Sequence, residues 1–127
     1  MKIESLSFRE AEFAIETTLT EGRLRLTLAG TADVRAIEPL GRLLPKIYDH
    51  SAAGSIDDVT VDVLTLEFMN SSCFKAFVTW ISVMQDAQDR RYRITFVSNP
   101  AMRWQRRSLQ ALACFAPDMI AVTTGAP

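Results

Sequence analysis

Histidine and cysteine are scarce in this chain: its 127 residues hold one of the first and two of the second. His50 stands in a polar stretch with no identifiable Ser or Cys partner, so neither a nucleophilic triad nor a histidine acid–base pair can be assembled around it. Cys73 and Cys114 lack Cys-x-x-Cys spacing, which excludes a zinc-ribbon pattern and a disulfide framework and points to a reducing compartment. Asp57 and Asp58 are adjacent acids in a polar loop with no further ligands beside them, so no metal, cofactor or catalytic residue is expected. A charge of one sign is also missing. Net charge is -1 and the pI is about 5.8, without the extended basic field that general nucleic-acid or membrane-surface binding requires. No segment approaches the roughly 20 apolar residues of a membrane span, and Met1 to Ser5 carry an acid too early and lack a signal-peptide apolar run. The expectation is a soluble, cytoplasmic protein that is not an enzyme.

What is present is core material. Apolar residues make up 48% of the sequence, enough for one domain over 1–127. Ala11 to Thr20 and Arg23 to Ala29 read as a hairpin around Glu21-Gly22, because Leu24, Leu26 and Leu28 alternate with Arg23, Arg25 and Thr27. Leu40, Leu43, Leu44, Ile47 and Tyr48 recur at helical spacing. Pro45 there predicts a kink, eased by glycine at position 41, or a break. His50 to Asp58 reads as a polar connection. Val59 to Leu66 is nearly continuous in apolar residues, as a central strand covered on both faces would be. Tyr92 to Val97 and Met119 to Thr123 read as further strands, and Ala101 to Phe115 as an amphipathic helix. The pattern predicts an α/β domain, one mixed β-sheet with helices packed mainly on one face. Within the last helix, Arg103-Trp104-Gln105-Arg106-Arg107 reads as a solvated face with one packed Trp, or alternatively as an RNA or phosphate contact.

A third helix follows the central strand. Projected at about 100° per residue from Phe74 to Asp89, it puts Phe74, Phe77, Val78, Ile81 and Met84 on one face. Lys75, Thr79, Ser82, Asp86 and Asp89 form a narrow polar stripe. Cys73, Ala76, Trp80, Val83 and Ala87 are left as a second apolar flank, which is either covered by a neighbouring helix or exposed as a docking patch.

The junction before that helix is the most informative stretch. Glu67-Phe68-Met69 leads into Asn70-Ser71-Ser72-Cys73, small polar residues at a helix N-terminus, where unpaired first-turn amides and the helix dipole favour an anion. An ordinary N-cap is the plain alternative. Cys73 has two readings of its own, a packed thiol or a reactive thiolate at the helix start. Cys114, among Leu112, Ala113 and Phe115, reads as core.

Gly30-Thr31-Ala32-Asp33, an internal strand aspartate at Asp62, and the Asn-Ser-Ser loop together resemble the STAS domain of bacterial anti-sigma factor antagonists over roughly residues 10–124. The resemblance implies that Ser71 is the phosphorylation site, with Ser72 as second choice, and that Asp33 contacts the loop. Asn70 and Cys73 depart from the antagonists' Asp and Gly, which implies a different partner set. Asn70-Ser71-Ser72-Cys73-Phe74-Lys75-Ala76 is also similar to the loop of SiaC-type regulators, which bind a diguanylate cyclase when unphosphorylated. The implied partners are a serine/threonine protein kinase, a PP2C-type phosphatase, and an anti-sigma factor or diguanylate cyclase as target. Binding residues on this reading are Asp33, Asn70, Cys73, Lys75 and Trp80. The family also contains scaffold subunits of transport assemblies, in which the loop serine need not be phosphorylated.

Overall fold

Alternating leucines at 24, 26 and 28 give a buried, inward-facing row in the early chain, and the sheet extends to both sides of it. The computed structural model describes residue 3 and residues 6–52, 56–86 and 92–125. Its elements are β1 (Phe8–Arg9), β2 (Phe13–Thr20), β3 (Arg23–Ala32), a 3-10 turn (Val34–Ala36), α1 (Ile37–Ala52), β4 (Asp58–Met69), α2 (Ser71–Asp86), β5 (Arg93–Ser98), α3 (Arg103–Phe115) and β6 (Ile120–Thr124). The strands form a six-stranded mixed sheet in chain order, antiparallel from β1 to β3 and parallel from β3 to β6. Glu21 and Gly22, with φ of 51° and 81°, make the two-residue hairpin turn whose twist suits the flanking strands.

Three parallel steps in one direction, each with the usual right-handed crossover, put α1, α2 and α3 on the same face of the sheet. The core lies between them. Leu26, Val61, Ile94 and Phe96 from the strands meet Leu44, Ile47, Phe77, Ile81, Leu109 and Leu112 from the helices. On the opposite face the row Thr18, Arg25, Thr60 and Thr95 is exposed or only partly covered, so the sheet is apolar on one side and mixed on the other.

Several boundaries differ from the sequence reading. α1 continues through Pro45 to Ala52 rather than breaking, so the polar connection starts later; residues 53–55 and the side chain of His50 lie outside the described residues. β4 runs on to Met69, three residues past the apolar run. Cys114 is exposed, not core, because α3 buries Gln105, Leu109 and Leu112, and position 114 lies about 200° around the helix from 112. Ala87 and Asp89 of the helical projection lie outside the described residues.

β4 leaves its two neighbours at different points. Pairing with β5 ends at Asp62↔Val97, whereas pairing with β3 continues to Ala32↔Met69 through two register shifts. At the first shift Asp62 does a strand aspartate's unusual job. One carboxylate oxygen accepts the Leu64 amide at 2.9 Å and the other accepts from Arg25 at 2.7 Å, which satisfies the bulged backbone. Beyond the end of the β5 pairing, the Val63 and Leu66 carbonyls accept from the Gln105 side-chain amide at 2.6 and 3.0 Å, and the Leu64 carbonyl accepts from Asn99 at 3.0 Å. Near the second shift Gly30 has a φ of 93°, and a Cβ there would sit 2.1 Å from the Glu12 carbonyl oxygen. Only glycine fits that crossing.

Candidate functional site

The turn from β4 into α2 is built by Asn70. Its amide donates to the Ala32 carbonyl at 2.9 Å, which ties the turn to the end of β3. Its side-chain oxygen accepts the Cys73 amide at 2.8 Å, and its carbonyl accepts the Phe74 amide at 3.0 Å. Asn70 is therefore the N-cap, with Ser71 and Ser72 the first two helical residues. Both serines are exposed. Their amides belong to the first turn, where no carbonyl one turn back exists to accept them, and the helix dipole adds partial positive charge at the same place. The geometry suits an anion carried by either hydroxyl.

Cys73, at the third helical position, points inward. It is fully buried, and its thiol donates to the Asp33 carbonyl at 3.5 Å. Burial, with the Asp33 carboxylate adding in the same direction, pushes the thiol up to about 11. The thiolate reading and the assignment of Cys73 as a partner-binding side chain are both corrected: it is a packed, protonated residue that joins α2 to the end of β3.

Asp33 enters the site through its main chain. Its carboxylate is occupied by Arg35, accepting from the Arg35 amide at 3.0 Å, from Nε at 3.2 Å and from Nη2 at 2.7 Å. Arg35 hydrogen bonding is the chief reason that the Asp33 carboxyl is held below its ordinary range. Arg35 also reaches Glu10 at 3.6 Å. Sequence reasoning passed over Arg35; the signal was its position two residues after an aspartate that caps a turn.

Trp80 is 3% exposed and its indole N–H donates to the Tyr92 hydroxyl at 2.7 Å, with ring contacts to Phe77 and Tyr92. The assignment of Trp80 as a docking residue is therefore corrected. α1 packs against α2, so Trp80 on this flank is covered while Val83 stays 46% exposed, and the buried face is Cys73, Phe77, Trp80, Ile81 and Met84. Lys75 remains exposed on the outer side. The sheet end beside Ser71 carries two apolar side chains that the sequence reading did not single out, Val34 at 72% and Phe68 at 47% exposure. Along α3, Arg103, Arg106 and Arg107 are exposed, Trp104 is half-buried with no partner for its indole N–H, and Gln105 is sealed in the interior. No described helix is long and apolar enough to cross a membrane.

One α/β domain, a six-stranded mixed sheet with three helices, has the SpoIIAA-like fold seen in anti-sigma factor antagonists. The chain is similar to an anti-sigma factor antagonist from Mycobacterium paratuberculosis, with a TM-score of 0.64 at 13% identity over 86% of this chain and 85% of that one. It is similar to the Bacillus cell fate determinant SpoIIAA in its phosphorylated form, with a TM-score of 0.54 at 19% identity over 88% and 91% of the two chains. The unphosphorylated form of the antagonist SpoIIAA gives a TM-score of 0.52 at 21% identity over 75% and 81%. Neither a protein-family model nor a curated protein matches the sequence.

Proposed function

We propose that this protein is a non-catalytic regulatory switch that binds a protein partner across the start of α2, with Ser71 as the phosphoacceptor and Ser72 as the second choice. The observation that carries the reading is the position of Ser71: exposed, one residue after the Asn70 cap, in the first turn of α2, where the amides have no helical acceptor. Phosphorylation adds about -1.5 to -2 charges at that point. In the free protein the helix start stabilises the added charge. A partner seated on Ser71, Val34 and Phe68 would have to strip water from it against apolar surface, so phosphorylation favours release. The SpoIIAA matches, one of them to a phosphorylated form, support the same reading.

The cognate enzymes on this reading are a serine/threonine protein kinase and a PP2C-type phosphatase, and the target is an anti-sigma factor or a diguanylate cyclase. Affinity capture from native lysate with wild-type, Ser71→Ala and Ser71→Asp baits, combined with phosphosite mapping, tests the proposal. The expected result is a partner held by the first two baits and lost by about tenfold or more with Ser71→Asp, with phosphate mapped to Ser71. Equal capture by all three baits and an unmodified Ser71 would instead indicate a scaffold subunit.

A further inference from the structure

Away from the serine pair, α1 and α2 do not close fully on each other. Between them lies a groove of about 290 Å³, just below the roughly 300–1,000 Å³ usual for small-molecule sites. α1 contributes Gly41, Leu44, Pro45 and Tyr48 to one wall, spaced at one helical face. α2 contributes Ala76, Trp80 and Val83 to the other, so two small residues, Gly41 and Ala76, stand where the helices would otherwise interlock.

Two features of α1 make this more than a packing gap. Gly41 and Pro45 are both unfavourable inside a helix, and both fall on the groove wall within one sixteen-residue helix. Departures from local preference of this kind mark functional positions more often than ordinary ones. A Cβ at Gly41 would meet nothing within 4 Å, so the missing side chain leaves open space. Pro45 has no N–H, so the Gly41 carbonyl lacks its usual helical donor and this turn of α1 is held by one bond fewer.

The neutral polar side chains on the groove walls have partners. The Thr79 hydroxyl already donates to the Lys75 carbonyl, the Trp80 indole already donates to Tyr92, and Tyr48 has an interaction of its own. Asp49 is the charged side chain on the wall. An apolar trough with one carboxylate on its wall suits a ligand with an apolar body and a cationic hydrogen-bond donor, and disfavours an anion. We propose that the α1–α2 groove is a binding site for a small aromatic or aliphatic amine, with its apolar body over Gly41 and Trp80 and its ammonium directed to Asp49. This proposal is independent of the switch at Ser71.

The test titrates tryptamine, with indole-3-propionate as the anionic control, into the 15N-labelled full chain and follows backbone amide shifts. Tryptamine should give saturable shifts at Gly41, Thr79 and Val83 with a Kd in the millimolar range or tighter, and the acid should bind about tenfold more weakly or less. Gly41→Leu, which fills the open space with a better helix former, should weaken tryptamine binding about tenfold or more without lowering Tm. Asp49→Asn, at an exposed position, should abolish the preference for amine over acid while leaving the fold intact. The proposal is overturned if no saturable shift appears at these amides, if the acid binds as well as the amine, or if Gly41→Leu binds like wild type. It is equally overturned if the same shifts depend on protein concentration, which would put a second copy of the chain in the groove.

Discussion

α2 and α3 both begin just past the end of a parallel strand, but their first turns are used in opposite ways. At α2, a small side chain, Asn70, caps one amide, and the two residues that follow are short, polar and exposed. At α3, Met102 occupies the cap position without a side-chain bond, and Gln105 in the first turn reaches back into the sheet. Its amide group serves the Val63 and Leu66 carbonyls and its oxygen accepts the Asn99 amide at 2.7 Å. One helix start holds the frayed end of β4 in place. The other sits on that held end and leaves Ser71 and Ser72 exposed.

The comparison is broken most severely at Gln105. Gln105→Leu should leave two buried carbonyls and one buried amide without partners and cost about 3–5 kcal/mol in chemical denaturation; a loss below about 1 kcal/mol would mean that the α3 start does not hold the sheet. A second effect is set by pH at the α2 start. Burial raises the Cys73 thiol from its ordinary 9.0 to about 11 in the folded protein, so the folded state binds this proton more tightly than the unfolded chain does. That contribution is fully present below pH 9 and is lost as pH rises toward 11. Unfolding measured from about pH 8 to 10 should show stability falling at the upper end, with the fall flattened in Cys73→Ala. Tyr92, also raised by burial, acts in the same sense above pH 10, which is why the window stops there.

Asn70→Ala should cost about 1 kcal/mol through the lost cap, whereas Asn70→Asp, which keeps an acceptor, should stay within about 0.5 kcal/mol of wild type. The smallest effect is expected at Ser71. Ser71→Asp should change stability by no more than about 0.5–1 kcal/mol, in the stabilising direction, because a carboxylate meets the positive end of the helix. A large loss of stability there would show that the hydroxyl has a structural role that its exposure does not reveal.

Much of the frame was legible in the sequence because its signals are periodic. Leu24, Leu26 and Leu28 gave the hairpin, the valines from 59 onward the central strand, and the amphipathic stretch from Ala101 to Phe115 gave α3. The Asn70 turn was legible for a local reason, since a cap needs only its own residue and the three that follow. What could not be read depended on contacts distant in sequence. Trp80 is covered because Tyr92 and α1 meet it, and Cys73 because Asp33 lies forty residues upstream. Likewise, nothing around Asp62 announces a bulge, and Gln105 looks like a surface residue among arginines until β4 is placed beneath it.

Strand order that follows chain order has a consequence for how the molecule is made. The β2–β3 hairpin closes through two residues and needs nothing downstream, and each later strand then docks on the one translated just before it. Emergence from the ribosome and assembly thus run in the same direction. Until β6 arrives, β5 presents a bare row of amides and carbonyls to any other chain nearby. A chain halted after Asn99 is accordingly expected to self-associate where the full chain does not, which sedimentation of the two would reveal.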